Sequence, residues 1–181
     1  MDQTKEAKPI WTIGHSTRSL EEFISLLHSF RIELLADVRS LPGSRRFPHF
    51  NKESIEKSLA EEKIEYKHFP ELGGRRKAKK DSTNTAWRNS AFRGYADYME
   101  SDEFKKGILK LEGLAPKKKT AIMCAEAVWW RCHRSLIADD LKHRGWKVMH
   151  ILGEGKSEEH PYTSPASIVQ GELNYSAEEK K

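Results

Sequence analysis

The chain has 181 residues, 37% of them hydrophobic and 33% charged, with a formal net charge of +5. That length suits one domain with its own core rather than two. No apolar run approaches the ~20 residues that span a bilayer, and residues 1–8 lack the apolar stretch of a secretory signal. Membrane-spanning and disulfide-rich secreted classes are therefore set aside. The two cysteines read as free thiols in a reducing cytoplasm. The basic balance permits a phosphate-bearing partner without demanding one.

In chain order, Ile10-Trp11-Thr12-Ile13 is a β-type run that stops at Gly14. Ser19 stands three residues before Glu22 as in a capping box, and Leu20, Phe23, Ile24, Leu27 and Phe30 follow at helical spacing, so a helix is predicted over 19–31. Leu34-Leu35-Ala36-Asp37-Val38 reads as a buried strand, and 39–50 as a loop broken by Pro42, Gly43 and Pro48. Asn51 is placed to cap a helix carrying Ile55 and Leu59. A strand over 64–69, a long basic loop over 71–89 and short helices from Phe92 and after Ser101 come next. A loop of that length in a compact domain is usually functional or disordered. Thr120 to Met123 is a fourth strand, 135–143 a helix closed by Gly145, and 146–152 a fifth strand.

Strands alternating with helices predict a single-domain α/β fold, a mostly parallel five-stranded sheet with helices on both faces. Residues 1–9 read as a flexible N-terminus, 10–152 as the domain and 153–181 as a loosely attached C-terminal tail with local packing around Tyr162 and Ile168.

The polar side chains concentrate where the predicted strands stop. Gly14, His15 and Ser16 follow the first strand, Asp37, Arg39 and Arg45 the second, and Gly73 and Gly74 the third. Cys124, Glu126, Arg131, Cys132, His133 and Arg134 follow the fourth. In a parallel sheet these ends share one edge, where open α/β sheets bind ligands. Each residue also has a plain reading: Gly14-His15-Ser16 as a turn and cap, Asp37 with Arg39 as a structural pair, Cys124 as a small buried hydrophobe.

The functional alternatives are chemical. Arg39, Arg45, Arg131 and Arg134 suit bidentate phosphate contacts, and Gly14, Ser16, Gly73, Gly74 and His133 complete the ligand-binding set. Asp37 and Glu126 are acid/base candidates, with His15 and Cys124 beside them as catalytic candidates. Cys124 gains nucleophilicity if a helix N-terminus and arginines lower its pKa. Six residues separate it from Arg131, one more than the phosphatase-type loop, and Cys124, Cys132 and His133 lack paired zinc-site spacing. No metal site and no cofactor motif is expected, since neither a GxGxxG run nor a P-loop is present.

Several motifs stand in a familiar order: Thr12-Ile13-Gly14-His15-Ser16, Asp37-Val38-Arg39 with Pro42 and Ser44, Leu72-Gly73-Gly74, Phe92-Arg93-Gly94-Tyr95-Ala96, and Cys124-Ala125-Glu126 followed by Cys132-His133-Arg134. With them the chain resembles the domain-of-unknown-function family numbered 488 over residues 10–152. The resemblance implies an α/β domain with a pocket at the strand ends and carries no catalytic assignment.

Three functions compete. The first is an enzyme that hydrolyses a phosphate-bearing ligand, a nucleotide or nucleic acid, in the crevice. The second is a non-catalytic nucleic-acid-binding module using the arginines and the basic 73–80 loop, with Trp87 and Phe92 as stacking platforms. The third is a thiol enzyme or redox sensor built on Cys124 or Cys132.

Overall fold

The computed structural model describes residues 6–177. Residues 1–5 and 178–181, parts of the predicted N-terminal segment and tail, lie outside the described residues. The elements are β1 (Pro9–Gly14), α1 (Leu20–Ser29), β2 (Leu34–Asp37), α2 (Lys52–Glu61), β3 (Glu65–His68), α3 (Ser90–Tyr98), α4 (Asp102–Leu114), β4 (Thr120–Cys124), α5 (Arg134–His143), β5 (Lys147–Gly153), β6 (Lys156–Glu159), β7 (Ser167–Val169) and β8 (Glu172–Asn174). Three single 3-10 turns, at Pro48–Phe50, Pro70–Leu72 and Trp129–Arg131, lie in the loops.

The main sheet runs β3-β2-β4-β1-β5-β6. Its first five strands are parallel, and β6 returns antiparallel to β5. The expected count of five is therefore corrected to six. Lys156-Ser157-Glu158-Glu159 is an edge strand with no buried side chain, so it lacks the apolar signature that marks β1, β2, β4 and β5. Its pairing comes from the chain reversal at residues 154 and 155.

Side-chain parity assigns the two faces. Trp11, Ile13, Leu35, Ala121 and Met123 pack with α1 and α2 through Phe23, Leu27, Ile55 and Leu59. Ile10, Ala36, Val38, Ile122 and Cys124 pack with α3, α4 and α5 through Tyr95, Phe104, Ile108, Leu136 and Leu141. Helices thus cover both faces, as the period-2 alternation of strands requires. Connections run outward from β1 to β3 over one face, then return over the other face to insert β4 beside β1. This reversal makes the β1–β4 boundary the switch point of the sheet, where the strand ends leave a crevice.

Local signals explain the helix limits. Ser19 accepts from the Glu22 amide at 3.1 Å and starts α1, and Ser101 does the same for α4 at 3.2 Å. Asn51 precedes α2 without capping it; its Oδ1 accepts from the Ser44 amide instead and ties down the loop after β2. The basic 71–89 loop is ordered by one buried carboxylate, Asp97 of α3. Asp97 accepts from the Lys79 amide, the Ser82 hydroxyl and the Asn84 side-chain amide at 2.8, 2.5 and 2.7 Å.

The C-terminal segment is anchored through a buried polar chain. Asp139 of α5 accepts from His160 Nε2 at 2.8 Å, from the Thr163 amide and hydroxyl at 3.0 and 2.6 Å, and from the Tyr175 hydroxyl at 2.8 Å. His160 Nδ1 in turn accepts from His150 Nε2 at 2.9 Å, and His150 Nδ1 from the Thr12 hydroxyl at 2.5 Å. Trp129 stacks on His150 at 4.6 Å. Among the described residues no helix is long and apolar enough to cross a membrane.

Candidate functional site

A cleft of about 670 Å³ opens at the carboxyl ends of β1, β2 and β4. Its walls include His15, Ser16, Thr17, Arg39, Ser40 and Ser44 from the first two strand ends, Arg46 and Phe47 beyond them, and Gly74 and Arg75 from the basic loop. Cys124, Glu126, Cys132 and His133 close the remaining side.

The backbone of β1 and the loop after β4 touch here. The His15 amide donates to the Cys124 carbonyl at 2.9 Å and the Ser16 amide to the Ala125 carbonyl at 3.0 Å. A Cβ on Gly14 would stand 1.7 Å from the Glu126 carbonyl oxygen, so the strand crossing requires glycine there. The role of Gly14 is close packing, and the Ser16 amide is already bonded. An anion contact from Ser16 therefore falls to its hydroxyl. Gly74 on the opposite wall, and the buried Gly73 beside it that does not line the cleft, act in the same way. Ser40 Oγ donates to the Gly74 carbonyl at 2.7 Å, and a Cβ on Gly74 would meet the His133 ring at 2.8 Å.

Asp37 is fully buried and does not line the cleft. Its Oδ1 accepts from the Arg39 amide and Nε at 3.1 and 2.9 Å, its Oδ2 from Arg39 Nη2 and the Tyr66 hydroxyl at 2.8 and 2.5 Å. Arg39 Nη2 also donates to the Phe50 carbonyl at 2.7 Å. The Asp37–Arg39 pair thus forms a neutralised support beneath the cleft. What reaches the cleft is Arg39 Nη1, 3.4 Å from His15 Nε2.

Two histidines flank the floor, and both are neutral near pH 7. His15 stacks on Phe50 and donates from Nδ1 to the Ser16 carbonyl. Burial, with Arg39 adding to it, holds its pKa down to about 4. His133 donates from Nε2 to the Val38 carbonyl at 2.8 Å, and burial lowers it likewise to about 4.

The two cysteines meet. Cys124 ends β4 on the face that α5 covers, and Cys132 sits just before α5, so their sulfurs lie 3.0 Å apart as free thiols. Burial alone would raise the Cys124 thiol; the Cys132 hydrogen bond and the nearby Arg134 guanidinium override it and bring it down to about 7. Arg134 is 2% exposed. Its Nη2 bonds to the Glu126 and Ala127 carbonyls at 3.3 and 3.4 Å, and its buried Nε has no hydrogen-bond partner.

The remaining candidates separate. Glu126 is exposed and lines the cleft, and its carboxylate has no ion-pair partner among the described residues. Arg45 and Arg131 are exposed and do not line it. Besides Arg39, the arginines that do face it are Arg46, lying 5.4 Å over the Phe47 ring, and Arg75. Both lie within the basic runs visible in the sequence, where spacing does not reveal which member turns inward. The partnership of Cys124 with Cys132 had a signal too, since strand parity sends Cys124 toward α5. Among the described residues, no group of three or more His, Cys, Asp or Glu is arranged to hold a metal ion.

A family model described as domain of unknown function DUF488 matches residues 19–141. No curated protein and no solved structure matches the chain.

Proposed function

From the premise that the chain belongs to the DUF488 family, whose description names no activity, we propose that its cleft binds a phosphate-bearing ligand, a nucleotide or nucleic acid, and hydrolyses it. The observation that carries this reading is the pairing state of the charges along the cleft. Among the described residues, Arg46 and Arg75 are exposed guanidiniums without a carboxylate partner, whereas Arg39 is neutralised by Asp37. Guanidiniums in this state suit bidentate contact with phosphate oxygens. The hydroxyls of Ser16, Thr17, Ser40 and Ser44 add donors along the same wall.

Among the described residues, Glu126 is the carboxylate that lines the cleft. It takes the proton of an attacking water or gives one to the leaving group, at a phosphoester or a base–sugar bond. His15 and His133, neutral near pH 7, contribute hydrogen bonding without adding charge. Asp37 acts only through Arg39, as a positioning residue.

The test is a binding and turnover screen of single-stranded, double-stranded and damaged nucleic acids and free nucleotides, with and without divalent metal. Glu126→Gln is expected to lower turnover roughly 100- to 10,000-fold while affinity stays unchanged. Arg46→Ala combined with Arg75→Ala is expected to weaken binding. Binding that ignores both arginines overturns the cleft assignment. Binding that needs them, with no turnover on any substrate, supports the non-catalytic module instead.

A further inference from the structure

We propose that Cys124 and Cys132 form a peroxide-reducing dithiol site, with Cys124 as the attacking thiolate and Cys132 as the resolving thiol. The site is independent of whether the cleft hydrolyses anything. Three observations place it. The sulfurs are 3.0 Å apart, so about 1 Å of approach reaches the covalent distance of roughly 2.05 Å. Both residues line the cleft, through which a molecule little larger than water can enter. Finally, Arg134 is a buried cation with no carboxylate within ion-pair distance among the described residues.

That last point decides the chemistry. A buried charge without a partner is costly, and among the described residues the guanidinium of Arg134 hydrogen-bonds only to two carbonyls. Its Nε is left over. A thiolate at Cys124 supplies the missing negative charge, and the same guanidinium favours that thiolate over the thiol. Cys132 keeps its proton: burial and the neighbouring Cys124 push its thiol well up. Once Cys124 is ionised, the pair holds one proton between two sulfurs, one poised to attack and one to follow.

The reaction balances with hydrogen peroxide as oxidant. The Cys124 thiolate attacks one peroxide oxygen, the O–O bond breaks, and the departing hydroxide takes a proton from solvent and leaves as water. Cys124 becomes a sulfenic acid. The Cys132 sulfur then attacks the Cys124 sulfur, the S–O bond breaks, and hydroxide leaves with the Cys132 proton as a second water. The dithiol loses two electrons, the peroxide gains them, and a disulfide closes the loop between β4 and α5. That loop carries Glu126. Reversal requires an external thiol, which reduces the disulfide by exchange.

The experiment treats the full-length protein with hydrogen peroxide and follows thiol number and intact mass. Wild type is expected to lose both thiols together and the mass of two hydrogen atoms, and to recover both with dithiothreitol. Cys132→Ser is expected to stop at a sulfenic acid that a 1,3-diketone probe traps at Cys124. Near pH 7 a thiol with pKa about 7 is half ionised, whereas an ordinary one near 8.5 is ~3% ionised. Arg134 stays beside Cys124 when Cys132 is replaced, so Cys124→Ser should react at least several-fold more slowly than Cys132→Ser. The wild-type measurement needs no variant, so a folding defect in either serine variant leaves it decisive. Native protein whose thiols resist peroxide, separate over-oxidation of the two cysteines without a bridge, or equal rates in the two variants would each overturn the proposal.

Discussion

Replacing Asp37 separates a structural role from a catalytic one, because its geometry commits it to the first. Its carboxylate is 0% exposed and accepts three hydrogen bonds from Arg39 and one from Tyr66. Arg39 is only 7% exposed and pairs with no other carboxylate among the described residues. In Asp37→Ala the guanidinium keeps the Phe50 carbonyl and its weak contact with His15, and loses its counter-charge. Orphaning one member of a buried ion pair costs about 3–5 kcal/mol, a large share of the ~5–15 kcal/mol that holds a domain together. Asp37→Asn retains one acceptor oxygen but turns an NH2 group toward Arg39 or Tyr66, so it falls at the lower end. With a urea slope of roughly 2 kcal/mol per molar, the midpoint should drop by about 1.5 M in the asparagine variant. Equilibrium urea unfolding followed by circular dichroism measures this, and an unchanged slope keeps the two-state comparison valid. An asparagine variant with a wild-type midpoint and no turnover would refute the reasoning and return Asp37 to the acid/base role.

Four further outcomes are expected. His15 and His133 have folded pKa values near 4, below the unfolded value of about 6.5, so the unfolded chain binds protons first as pH falls. Stability is full above about pH 6.5 and drains toward pH 4, by on the order of 2–3 kcal/mol per histidine; a His15→Gln/His133→Gln double variant with the wild-type pH slope would contradict this. Asp139→Ala should release the segment from His160 to Tyr175, seen as limited proteolysis within that segment while the sheet core stays protected; unchanged resistance would show that the polar chain is not the anchor. Neutralising the exposed Arg75, Lys77, Lys79 and Lys80 should flatten the salt dependence of any nucleic-acid affinity, by about 0.9 in log–log slope for each phosphate that the loop no longer neutralises. Arg76→Ala should act on stability instead, because its guanidinium lies 3.7 Å from the Tyr98 ring centre and its Nε bonds to the Gly73 carbonyl.

What the sequence made legible is what local chemistry determines. Helix α1 announces itself through Ser19, Glu22 and an apolar stripe, all within one stretch of chain, and its structure follows that pattern. Strands β2 and β4 are short apolar runs because both of their faces are covered. Strand β6 is different: four polar residues become a strand only because β5 offers an edge, and no local pattern records that offer. The same division runs through the site. Position at a strand end predicted that Cys124, Glu126, His15 and His133 would share a crevice, and they do. Pairing could not be read in this way. Asp37, Asp97 and Asp139 are three buried carboxylates whose roles differ only in what comes to meet them. For Asp37 that is the neighbouring Arg39 and Tyr66; for Asp97 it is the basic loop; for Asp139 it is a histidine and a tyrosine from the far end of the chain. All three are already satisfied by three or four hydrogen bonds, whereas Glu126 is exposed and has no ion-pair partner among the described residues. Position in the sequence therefore located the crevice, and the hydrogen bonds already made at each carboxylate distinguish those committed to the fold from the one that lines it.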